Sequence, residues 1–340
     1  MSPATRRKLR DNLEAYAYLA PAGIILIIFW LVPVGVSLAM SFGNITALQP
    51  MEEFRFVGLS QYTEAFRNPA FVQTLWNTTN YVLYSVPATL VLALSAALLL
   101  NRQIAGRGFF RTVYFLPYIT TWVAIAIVFR YLFHREYGLG NWFLGVLTVN
   151  LLGFENPVRL EWLSEPRGIW EMVFFEPVFN RSVPPLPFGL NNLVAGPSLS
   201  LFSIILTSIW RDTGYFMIIF LAGLQNIDRT LYEAAAIDGA NPIQRFKAIT
   251  FPLLSPISFF LLIISMIGAF KVFVPQFMMT PGGGPDGSTR PLVMYLYEEG
   301  FTGEWNLSYA AAIAYILTMI ILGLTLLQNR LFGRKIEYGN

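Results

Sequence analysis

The sequence predicts an all-α integral membrane protein with six transmembrane helices. Of its 340 residues 55% are hydrophobic and only 13% charged, and the mean hydropathy is +0.54. A soluble domain carries about twice that share of charge. Long uncharged runs recur along the chain, and a run of about 20 apolar residues crosses a bilayer core of about 30 Å. Between the runs lie short basic loops and Pro/Gly breakers, the punctuation expected between helices. With no cysteine and a single histidine, disulfides, thiolate metal sites and multi-histidine metal sites are excluded. A net charge of +3 does not point to nucleic acid.

Taken in order, residues 1–18 are a basic tail and 19–42 the first span. That run is too long for a signal peptide, and no small-residue cleavage pattern closes it. Pro21 falls in its first turn and Pro33 is expected to kink it. Residues 43–77 are an external loop. The second and third spans, 78–100 and 112–133, are joined by the basic loop NRQIAGRGFFR. Residues 134–198 are proline-rich, aromatic and mixed in charge. Their apolar pieces are too short to cross, so they form an external insertion lying on the membrane. The fourth span is 199–224, the fifth 256–280, ended by PGGGPDG, and the sixth 307–328, before a basic tail at 329–340. With both termini inside, 13 Lys and Arg lie on the inner side against 7 in longer outer stretches, as the positive-inside rule requires. The core is thus 78–328, with an inner loop at 225–255.

That inner loop holds TLYEAAAIDGANPIQRFKAITFP, residues 230–252. Thr230 with Glu233 three residues on reads as a capping box. Gly239 is a helix stop, and Asn241 with Pro242 starts a second helix. The result is a helix–Gly–helix hook at the membrane surface.

The hook resembles the EAA loop of the membrane subunits of ABC importers. The resemblance rests on Glu233-Ala234-Ala235, then Asp238-Gly239, then Ile249, then Phe251-Pro252, where the family has Leu-Pro. It extends over RTVYFLPYITTWVAIAIVFRYLF, FLAGLQNIDRTLYEAAAIDGA and FKVFVPQFMMTPGGGPDGSTRPLVMYLYEEGF, which are similar to carbohydrate importer permeases. It implies the type I importer (MetI-like) fold in a prokaryotic cell membrane. The partners it implies are a second permease subunit, two ATP-binding subunits and an extracytoplasmic solute-binding protein. ATP and magnesium would sit on the partner ATPase, since this chain has no G-x-x-x-x-G-K-[ST] and is not expected to bind a cofactor or to be an enzyme. Glu233, Ala234, Ala235, Asp238, Gly239, Ile249 and Pro252 would then form the coupling loop.

Arg211 and Asp212 fall near the middle of span four, where each charge costs about 2.5–3.5 kcal/mol on insertion scales. Such residues face water, a partner or a ligand. With Trp210 and Tyr215 they form a set of charged and aromatic groups suited to a sugar. An internal Arg–Asp pair is the other reading. By resemblance to the maltose transporter's subunit, Trp210, Tyr215, Ser265, Gly268 and Ala269 fall on sugar-contacting positions, and Lys271 lies a turn beyond. Ala269 offers no hydrogen-bonding group where that family member has an amide. The competing function is a secondary transporter coupled to an ion gradient, with Asp212 as the coupling acid. It leaves the capped hook without a purpose.

Overall fold

The computed structural model describes residues 3–102, 104–151, 156–175, 183–184 and 186–331. From residue 332 on, the expected C-terminal tail lies outside the described residues, as do parts of the expected external insertion. The chain divides into two compact units. One combines the residues up to Ala65 with Leu296–Ile316, and the other combines Phe66–Tyr295 with the residues from Leu317 on.

In the smaller unit the helix begins at Pro3, so no break separates a tail from the first span. The apolar, membrane-length part is Glu14–Ser41. Pro21 lies inside the helix rather than in a first turn. Before Pro33 the chain widens into a π-turn, Ile27–Leu31, and resumes as Val32–Ser41. Proline cannot donate to the carbonyl four residues back, and a wider turn absorbs the mismatch. The stretch 43–77 is not a loop throughout. Gly43–Asn44 pairs antiparallel with Arg55–Phe56, and a helix follows at Ser60–Arg67. A Cβ at Gly43 would run into the Phe54 ring, so a side chain there requires that ring to move. The start of the sixth span, Leu307–Leu331, is pinned here. Ile45 N–H donates to Ser308 Oγ at 3.0 Å and Tyr315 O–H to the Val34 carbonyl at 2.6 Å.

In the larger unit the second-span helix is Pro69–Asn101, 33 residues, capped by Asn68, whose side chain accepts from Ala70 N–H at 2.9 Å. It starts nine residues earlier than the apolar run suggests, and Phe71, Thr74 and Asn77 of its first turns are buried. The third span is not continuous. Arg107–Ile119 and Trp122–Leu132 meet at a 98° bend. Pro117 weakens the end of the first helix, Thr120 and Thr121 are extended, and Thr121 caps the second. The fourth span is Leu199–Gln225. At Gly214 a Cβ would lie 1.7 Å from the Tyr114 carbonyl oxygen, so the third and fourth spans touch backbone to backbone. Around that contact Ala93, Ala96 and Ala97 pack on Phe216, Met217, Phe220 and Leu221, with Leu254 and Leu261 closing the core.

The fifth span is helical from Pro242 to Phe270, so the second helix of the hook runs on into the membrane. It ends at Lys271 rather than at PGGGPDG, and a short helix, Val274–Met279, follows. Among the described residues five helices are long and apolar enough to cross a bilayer, and the bent pair makes six when counted as one span. Outside the spans, the 134–198 stretch is tied down through Asn141. Its amide donates to the Arg135 and Leu160 carbonyls at 2.8 and 2.9 Å and accepts from Trp162 Nε1–H at 2.9 Å. Ser200 and Ser203 hydroxyls, at the start of the fourth span, donate to the Glu165 and Trp162 carbonyls.

Candidate functional site: a charged cavity and a capped hook

The bend in the third span shapes a cavity of about 380 Å³ among spans two to five. In an unbroken helix the Tyr118 carbonyl would accept from the backbone N–H of Trp122. The bend removes that donor, and Arg211 Nη2 donates there instead at 3.2 Å. The same guanidinium pairs with Asp212 Oδ1 at 2.7 Å and lies 4.8 and 4.5 Å from the ring centroids of Tyr118 and Trp122. Tyr118 stacks on Tyr215 with centroids 4.3 Å apart. Arg211 and Asp212 are therefore an internal pair that is also part of the cavity wall.

Tyr215, Ser265, Gly268, Ala269 and Lys271 also line this cavity. Ser265 directs its hydroxyl to the Leu262 carbonyl at 3.1 Å. Around Gly268 a Cβ would meet nothing within 4 Å, so the wall is open there. Lys271, at the helix end, places a second cation in the wall against the one carboxylate. Trp210 is not brought to the cavity. It is 51% exposed and packs on Phe129 at 5.3 Å, on another side of the helix. Residues that sequence reasoning missed are Tyr81, Ser85 and Thr89 of span two, Tyr118 and Trp122 of span three, and Ser208 of span four. The signal for two of them was present. Pro117 followed by Thr120-Thr121 marks a helix end and a new cap beside two aromatics.

In the hook the first helix is Arg229–Ile237, and its cap is not Thr230 with Glu233. Asp228 takes that role, accepting from Thr230 N–H at 2.9 Å. A carboxylate two residues ahead of a free N–H is as good a cap as threonine, and it also favours the positive end of the helix dipole. The bond to the Thr230 N–H holds the Asp228 carboxyl below its usual range. Thr230 thereby becomes an ordinary first-turn residue. Gly239, with φ +79°, ends the helix. Ala240 N–H bonds back to the Ala235 carbonyl at 2.9 Å and Gly239 N–H to Ala236 at 3.2 Å, a Schellman closure.

Asn241 and Pro242 start the second helix as expected, and Gln244 completes a reciprocal box. Gln244 N–H donates to Asn241 Oδ1 at 2.9 Å, and Asn241 N–H to Gln244 Oε1 at 2.7 Å. Tyr232 and Thr250 hydroxyls bond at 2.9 Å, tying the two helices together. Glu233, Ala234, Asp238, Gly239 and Pro252 are exposed, while Ala235 and Ile249 are half-buried. Ile237 is 87% exposed, and Leu231, Ile243 and Phe251 are exposed too.

Membrane-length helices, a charged cavity among spans two to five and a capped helical hook fit a transport permease. Residues 56–337 match the family described as "Binding-protein-dependent transport system inner membrane component", and the chain belongs to it. It is 30% identical over 335 residues to the sn-glycerol-3-phosphate transport system permease protein UgpA of Pectobacterium atrosepticum, covering 98% of this chain and 99% of that one. It is 31% identical over 332 residues to the lactose transport system permease protein LacF of Rhizobium radiobacter, covering 96% and 97%. Among solved structures it is similar to a chain of a bacterial alginate ABC transporter in complex with an alginate pentasaccharide-bound periplasmic protein. The TM-score is 0.71 at 21% identity, over 98% of this chain and 99% of that one. The expected all-α, six-span importer fold is met.

Proposed function

We propose that the chain is the membrane-spanning subunit of an ATP-driven importer for a sugar or a related polyol phosphate. It forms half of the translocation pathway beside a second permease subunit. Two ATP-binding subunits grip the hook from the cytoplasm, and an extracytoplasmic binding protein delivers the substrate. Relatives named for glycerol 3-phosphate and lactose transport support the substrate class. The observation that carries the reading is the cavity wall. Arg211, Asp212 and Lys271 offer hydrogen bonds and charge to hydroxyls or an acidic group, and the Tyr118–Tyr215 stack offers a flat apolar face.

The hook supplies the mechanical link. Two closures at its caps and the Tyr232–Thr250 bond make it rigid, and Ile237 with Ile243 presents an apolar surface for a partner to bury. Both termini then lie in the cytoplasm. Nucleotide and magnesium bind the partner ATPase, and this chain catalyses no reaction.

The test is uptake of labelled oligosaccharides and glycerol 3-phosphate into proteoliposomes holding this chain, its partner permease, the ATPase and the binding protein. ATP-dependent uptake is expected for one substrate class, with a loss of tenfold or more in Gly239→Pro although the complex still assembles. Uptake without ATP that follows a proton gradient overturns the reading and moves the coupling to Asp212.

A further inference from the structure

At the end of the second span away from the hook lies a second, smaller cavity of about 150 Å³, and Gln73, Asn77, Asn80, Glu171 and Ser288 are among its lining residues. Gln73, Asn77 and Asn80 recur at helical spacing and share one face. Each commits its amide NH2 to backbone carbonyls. Gln73 donates to Asp286 at 2.7 Å, Asn77 to Gly287 and Arg290 at 2.8 and 3.1 Å, and Asn80 to Asn192 at 3.1 Å. Carbonyls accept and never donate, so these bonds fix which end of each amide is nitrogen. Three amide oxygens are left over. That of Asn80, a residue 2% exposed, is fully buried and has no hydrogen-bond partner among the described residues.

Two further residues that carry side-chain oxygens also line the cavity. Ser288 is 7% exposed, and its hydroxyl is also buried without a partner. Glu171 brings a carboxylate from the π-turn Glu171–Phe175, with one oxygen accepting from Val183 N–H at 3.4 Å. Leaving such groups buried and unmatched is unfavourable, because they lose their bonds to water and gain none in return. A ligand that accepts oxygen lone pairs from several directions and carries positive charge removes that cost.

We propose that this cavity is a divalent-cation site of the calcium class. Calcium takes six to eight oxygens in irregular geometry, including amide carbonyls and waters, whereas magnesium demands a near-ideal octahedron. A single carboxylate makes a weak site, of the order of 10⁻⁴–10⁻³ M as in extracellular modules. Its ligands come from the second span, the external insertion and the turn after the fifth span, so the bound ion cross-links all three. The site thus braces the outer end of the permease independently of what the central cavity transports.

The probe is Tb³⁺ on the purified complex, with luminescence sensitised by Trp170, whose ring packs against Gly196 in the cavity wall. The expected result is saturable luminescence displaced by Ca²⁺, with affinity at least tenfold weaker in Glu171→Gln. Ser288→Ala is expected to weaken binding several-fold without changing the melting temperature in chelator, since that hydroxyl makes no bond in the fold. Affinity unchanged in either variant, or luminescence that Ca²⁺ does not displace, overturns the proposal and leaves the cavity to water.

Discussion

Arg211 reaches across from the fourth span to the backbone carbonyl of Tyr118 in the third, at 3.2 Å, and that carbonyl is free only because the third span breaks two residues later. The guanidinium therefore does three things together. It satisfies a freed backbone acceptor, neutralises Asp212 and stacks beside Tyr118 and Trp122.

Lysine cannot replace this arrangement, because an ammonium has no planar fork to serve carboxylate, carbonyl and two rings. Arg211→Lys is expected to reduce uptake by tenfold or more. Arg211→Ala leaves the Asp212 carboxylate without its partner and is expected to lower the melting temperature. Adding Asp212→Asn should recover much of that loss without restoring uptake. A double-mutant cycle on melting temperature and uptake rate checks both outcomes.

Gly214 is where two backbones meet. Gly214→Ala places a methyl 1.7 Å from the Tyr114 oxygen, so the third and fourth spans must separate. Overpacking of this kind costs about 1–3 kcal/mol. Thermal unfolding in detergent is expected to show the loss, whereas Gly268→Ala, with nothing within 4 Å, is expected to leave the melting temperature unchanged.

Ile237 is exposed in the isolated chain, so changing it should hardly alter folding; surface substitutions usually stay within about 0.5 kcal/mol. If the hook docks an ATPase, Ile237→Asp places a charge where the partner must dry the surface. Association of the ATPase, measured by titration onto the reconstituted permease, is expected to weaken at least tenfold. Unaltered affinity would remove Ile237 from the interface.

The Asp228 cap has a predictable pH signature. Its carboxyl is held below the ordinary 3.8 by the Thr230 N–H, so the unfolded chain binds the proton more readily. The stabilisation is fully present above that ordinary value and is lost as pH falls through the lowered one. The protection factors against hydrogen exchange across Arg229–Ile237, corrected for the intrinsic rate, are expected to fall with acid in that window. Asp228→Asn keeps a cap without a charge, and its protection should lose this pH dependence.

Asp228 also shows how far local sequence rules reach. Thr230 and Glu233 satisfied the capping-box spacing, yet Asp228 started the helix two residues earlier, and spacing alone could not rank two competent caps. Gly239, Asn241 and Pro242 were legible because each forces one conformation: a positive φ, a cap, a missing N–H. Gln244 was legible in principle, three residues after Asn241. Trp210 illustrates the opposite failure. It shares a short stretch with Arg211, Asp212 and Tyr215, but a step of about 100° per residue sends it to Phe129 instead of the cavity.

The number and order of the spans, the helix–Gly–helix hook and the charges in the fourth span were determined by the sequence alone. Apolar length, basic loops and cap residues act within a few residues of one another, so they can be read along the chain. Tertiary structure decided the bend at Thr120–Thr121, the extension of the second span back to Pro69 and the end of the fifth at Lys271. It also decided the meeting of Tyr118, Trp122 and Arg211 in one wall. The bend has a local signal in Pro117 and Thr120-Thr121, but the wall it builds depends on groups far apart in the chain: a glycine admitting a neighbouring backbone, and an arginine long enough to replace a lost helical donor. Such compensation becomes visible only when the helices are packed.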